Sequence, residues 1–173
     1  WLGTSIAALS TLQRVFVVGS FLRKDHPLFA QRLRQAVRRG AQLHSLHAVH
    51  DDWAMPLATQ FTAAPSGWTD ALAQVAAAIA KNKGIAAPVP ADPSQAAQTV
   101  AASLLSGERK AILLGNAAAQ HPQAHRAFTA HAEEQAAVKP AEEARQHSAV
   151  GSEPSIHLRH LVEFLADGLH YLG

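Results

Sequence analysis

The sequence contains no cysteine. Disulfides, zinc thiolate sites and cysteine-held iron–sulfur clusters are excluded from these residues, whereas reducing and oxidising compartments both stay compatible. No apolar run approaches the length needed to cross a bilayer, and no charged start leads into an apolar core as in a cleavable leader. The segment therefore reads as soluble, with no direct membrane insertion. Phosphate-cradling patterns are absent too: there is no Gly-x-Gly-x-x-Gly, no Gly-Lys-Ser or Gly-Lys-Thr, and no serine in a Gly-x-Ser-x-Gly elbow. Aromatic residues make up only 6% of the chain, so helices bearing small alanine side chains are expected to pack closely on a modest sheet.

Charge of either sign is modest, with a formal net of +2, but it is unevenly spread. Arg14, Arg23, Lys24, Arg32, Arg34, Arg38 and Arg39 face only Asp25 in the first quarter, while glutamates outnumber cations near the end. Without a Gly-rich or aromatic recognition motif, this basic stretch reads as a solvated helix face and argues against nucleic acid as a partner.

What the chain does have, it has twice. Val15-Phe16-Val17-Val18-Gly19, a short loop and His26-Pro27 are echoed by Ala111-Ile112-Leu113-Leu114-Gly115, a short loop and His121-Pro122. Each is a buried parallel strand that delivers its C-terminal end to a loop, where open α/β sheets place ligands. Length allows one such α/β unit and not two full domains. The expected fold is therefore α/β, a three-layer Rossmann-like, mostly parallel sheet flanked by helices over residues 1–130.

Between the repeats, Phe21 to His26 reads as loop, with Asp25 or His26 capping a helix that Pro27 opens and Gly40 closes. Phe29, Leu33, Ala36 and Val37 form its apolar stripe. Ala41 to Val49 reads as a second strand, Met55 to Gln60 as a short helix or turn, and Phe61 to Ala63 as a short strand. Trp68 to Lys81 reads as an Ala-rich helix stopped by Gly84. Residues 85–93 form a Pro-rich linker inside the unit, and Ser94 caps a helix running to about Leu105. Pro122 to Gln135 reads as a further helix. Residues 131–173 form a divergent tail, helical or partly disordered, in which Ile156 to Leu169 recovers a helical spacing.

Gly19, Ser20, Gly115 and Asn116 stand where a nucleotide or pterin would sit, but a single glycine per loop is explained by the turn alone. His44, His47 and His50 recur every three residues, which spreads them over mixed faces of a strand, so no metal site is expected. Asp51 and Asp52 read as turn residues. No catalytic apparatus stands out.

Val17-Val18-Gly19-Ser20-Phe21-Leu22-Arg23-Lys24-Asp25-His26-Pro27-Leu28, then Ala30 to Ala36, Arg39-Gly40-Ala41 and Asp51 to Pro56, closely resembles the large iron–sulfur subunit of bacterial NADH:quinone oxidoreductase, respiratory complex I. Leu104 to Pro122, with its Ser106-Gly107-Glu108-Arg109-Lys110 turn, continues the resemblance, which covers residues 10–128. The resemblance implies a fragment of a molybdopterin-oxidoreductase-like domain whose pterin dinucleotide site, in most complex I members, is empty and structural. It implies iron–sulfur clusters on an N-terminal region preceding this chain, which begins at Trp1, and no cofactor in these residues. Its implied partners are that region and other soluble-arm subunits, in a peripheral position on the cytoplasmic side of the inner membrane. The alternative is a pterin- or nucleotide-binding module that uses the loops after Gly19 and Gly115.

Overall fold

The computed structural model describes residues 5–121. Strand β1 (Arg14–Val18) is the centre of the fold. Its Val15, Phe16, Val17 and Val18 are all buried, because parallel neighbours on both edges and helices on both faces leave no wetted side. On one edge lies β2 (Gln42–His47) and beyond it β3 (Thr59–Thr62); on the other lies β4 (Lys110–Leu114). The order is β3-β2-β1-β4, and every pairing is parallel. Arg14 pairs in register with Gln42 on one side and Lys110 on the other, so the strands finish level and their C-terminal ends form one rim.

Alternation along β1 divides the core in two. Phe16 and Val18 join Leu46, Leu72, Ile79, Val100 and Leu104 under helices α3 (Trp68–Lys83) and α4 (Gln95–Ser106). Val15 and Val17 join Leu9, Leu33, Leu43 and Trp53 under α2 (Pro27–Arg38) and a 3-10 turn (Ile6–Thr11). Each fully buried Leu, Ile, Val or Phe contributes roughly 1.5–3 kcal/mol of transfer free energy. Alanines 73, 76, 77, 78 and 80 of α3 are buried as well, which lets its backbone lie close to both the sheet and α4. The structure is α/β with an all-parallel four-stranded sheet flanked by helices, as the sequence leads one to expect.

The expected helix ends largely hold. Pro27 opens α2, and Gly40 follows it at φ 93°. Gly84 closes α3 in the left-handed region, and the Ser94 hydroxyl accepts from the Ala97 amide to cap α4. Four details differ. The second echoed strand, Lys110–Leu114, is not buried as expected but half-buried with Leu114 exposed, because among the described residues it lies at the edge of the sheet. The segment 21–26 is not simply loop, since it winds into one turn, α1 (Leu22–Asp25). Neither Asp25 nor His26 caps α2 through its side chain; Asp25 turns back toward β1 instead. Thr59 and Gln60 already belong to β3, where they pair with His44 and Ser45 of β2; the β-branched Thr59 suits a strand, and pairing carries Gln60 with it. The expected helix at 122–135 and the tail at 131–173 lie outside the described residues.

Candidate functional site

The rim formed by the C-terminal ends of β1 and β4 brings together all four residues singled out as ligand candidates. Gly19 leaves β1 at φ 65°, a conformation natural to glycine. Gly115 leaves β4 and leads into the single turn α5 (Asn116–Ala119). The two loops touch backbone to backbone. A Cβ on Gly115 would fall inside the van der Waals envelope of Ser20 Cβ and of the Gly19 carbonyl. A Cβ on Gly19 would lie 2.6 Å from the Ala118 nitrogen, 2.7 Å from Ala118 Cβ and 2.8 Å from Cζ3 of Trp68. The glycines thus permit the protein to approach itself, in the space where a ligand's phosphates would otherwise enter.

The hydrogen bonds agree with that reading. A phosphate at such a rim needs free backbone N–H groups and a local excess of positive potential. Here the Gly19 amide donates to the Leu46 carbonyl (2.8 Å), the Gly115 amide to Val18 (2.8 Å) and the Ala117 amide to Gly19 (3.2 Å). The Phe21 amide donates to Asp25 Oδ2 (2.9 Å), and so does the Ser20 hydroxyl (2.7 Å). A carboxylate therefore occupies the anion position at the start of α1. Asn116 remains on the surface.

Trp68 closes the rim from the α3 side. It is 1% exposed, and its indole N–H donates to the Ala63 carbonyl at 2.9 Å. The His47 ring stacks on it at 6.4 Å between centroids, and His121 lies against it at 6.2 Å while bonding the Pro65 carbonyl through Nε2. Sequence reading missed Asp25 and Trp68 as the residues that fill the crevice. The one available signal was a carboxylate six positions after the strand glycine.

The histidine triplet separates. His44 is 1% exposed, and its Nε2 lies 2.8 Å from the Ser103 hydroxyl, which donates onward to Gln42 Oε1 at 2.6 Å. Since the hydroxyl has one hydrogen and spends it on Gln42, it accepts from His44, whose ring therefore carries its proton on Nε2. Burial, and then the charge of Arg14, lower the His44 pKa to about 4. His47 Nδ1 sits 3.0 Å from Asp51 Oδ2, but off the line that a hydrogen bond requires. His50 is exposed. Among the described residues no group of three or more His, Cys, Asp or Glu gathers as a metal site.

Asp52 behaves as a turn residue. It accepts from the Ala54 amide (2.8 Å) and from Arg23 (2.9 Å), and these contacts lower its pKa. Ala54 takes φ 52° in this turn. No helix among the described residues is long and apolar enough to cross a membrane. No protein-family profile matches the chain, and no curated protein matches it significantly.

Proposed function

We propose that this chain is a structural, non-catalytic α/β module of the large iron–sulfur subunit of a bacterial NADH:quinone oxidoreductase. It supports electron transfer from NADH to quinone in the full complex while holding no redox centre itself. The observation that carries this reading is the self-filled crevice: the loops that would grip a pterin dinucleotide are packed on each other, and Asp25 places negative charge where a diphosphate would go. Such a site is a ligand site turned into packing. The resemblance of residues 10–128 to that subunit supports this choice of parent, and the absence of cysteine fits a part that leaves the clusters to its neighbours.

In this reading the module packs beside the cluster-bearing region and other soluble-arm subunits, peripherally on the cytoplasmic face of the inner membrane. Half-exposed β4, with Leu114 at 44% exposure, is the face best suited to meet them. The test is co-purification. A tagged copy expressed in its source cells is expected to recover NADH-oxidising activity and the electron paramagnetic resonance signals of iron–sulfur clusters from detergent-solubilised membranes. Recovery of the chain alone would overturn the assignment. Titration with molybdopterin dinucleotide, followed through the amide resonances of Gly19, Ser20 and Asn116, separates the alternative: saturable shifts at those residues would make the module a pterin or nucleotide binder.

A further inference from the structure

The opposite end of the sheet carries a recess of about 420 Å³ beneath the strand N-termini, and three arginines line it: Arg14, Arg39 and Arg109. Arg14 opens β1, Arg39 follows α2 and Arg109 precedes β4, so tertiary structure gathers charges that lie far apart in sequence. Each side chain is anchored. Arg109 Nε donates to the Thr11 carbonyl at 2.7 Å, and Arg14 donates from Nε to the Ser106 hydroxyl (3.0 Å) and from NH1 to the Gln13 carbonyl (2.8 Å). Arg39 reaches the Ser10 carbonyl at 3.5 Å. The loop that holds Arg109 is itself fixed, because Gln13 Oε1 accepts from the amides of Glu108 and Arg109. Gly107 is bare where Arg14 passes, and a Cβ there would run into the arginine stem.

Capping those carbonyls requires donors, not three full charges. A guanidinium has five N–H groups, and the anchors use one or two on each arginine. Among the described residues the Arg–carboxylate pair is Arg23–Asp52, and no acidic side chain of those residues lines the recess. Glu108, the nearest carboxylate in sequence, is exposed and does not line the recess. Three like charges gathered at one recess repel one another and raise the local positive potential, which favours an anion there.

We infer that this recess is a binding site for a phosphate-bearing small molecule, with the phosphate held between Arg14, Arg39 and Arg109. Its volume exceeds that of a bare phosphate and suits a diphosphate or a phosphate ester with a small organic part. This site lies at the far end of the strands from the closed crevice, and the inference does not depend on the proposed function.

The probe is inorganic pyrophosphate, titrated into the full chain at constant ionic strength while amide resonances are followed. Saturable shifts are expected at Gly40, Ala41 and Arg109, with those of Gly19 and Gly115 unmoved. Arg109→Gln, an exposed substitution that spares the core, is expected to weaken binding about tenfold or more. Arg34→Gln, on the exposed face of α2 outside the recess, is expected to change it less than twofold. Arg14→Gln should act like Arg109→Gln where the variant folds. Shifts that fail to saturate, equal losses in Arg34→Gln and Arg109→Gln, or shifts confined to Gly19 and Gly115 would each overturn the site, and only the last would also bear on the crevice.

Discussion

An added methyl at Gly115 meets a Cβ and a carbonyl, neither of which can rotate away, whereas one at Gly40 meets nothing within 4 Å. Gly115→Ala is therefore expected to cost about 3 kcal/mol in urea unfolding, by overpacking. Gly40→Ala, where only the left-handed backbone at φ 93° is penalised, should cost about 1 kcal/mol. His44 makes a second residue-scale prediction. Its pKa falls from 6.5 to about 4 on folding, so the unfolded chain takes up the proton first as pH drops. The stability it secures is complete above about pH 6.5 and drains away down to about pH 4, by up to about 3 kcal/mol. His44→Gln should flatten that part of the pH profile. Both glycines at the rim were visible in the sequence as turn-makers. That the two strands are neighbours was legible as well, from the repeated strand-to-glycine pattern; the close contact between their loops was not, because it depends on backbone positions that no local pattern carries.

Among the elements, those with long periodic or continuous patterns were the legible ones. The apolar run of β1, the stripe and proline start of α2, and the serine cap of α4 each express a local preference that packing then reinforces. Turn α1 has only four residues, too few for periodicity, and it exists because Asp25 folds back onto Ser20 and Phe21. Helix α2 keeps Arg34 and Arg38 exposed one turn apart. If α2 meets an acidic neighbour in the assembled complex, replacing both with glutamate should weaken co-purification strongly at low salt and weakly at high salt. Equal losses at both would remove α2 from the interface.

For the molecule as a whole, the sheet is sealed on both faces over β1 and thinly covered over β4, where Lys110, Ala111, Ile112 and Leu113 are half-buried and Leu114 is exposed. A parallel strand is ordinarily covered on both sides. Leu114→Lys should accordingly change the unfolding free energy of the isolated chain by less than about 0.5 kcal/mol while lowering recovery with partner subunits. No change in recovery would show that β4 faces solvent in the complex.

The central position of β1 also governs the order in which the chain can assemble. Its second neighbour arrives late: Gln13 and Arg109, bonded to each other where β1 and β4 begin, are 96 positions apart. A ribosome adding about 5–20 residues per second needs several seconds to cover that distance. Throughout that interval the edge of β1 that β4 later covers leaves its backbone N–H and C=O groups without their final partner, open to any other nascent strand. Chains stalled before β4 are therefore expected to aggregate more than full-length ones, which sedimentation of ribosome-released truncations would check.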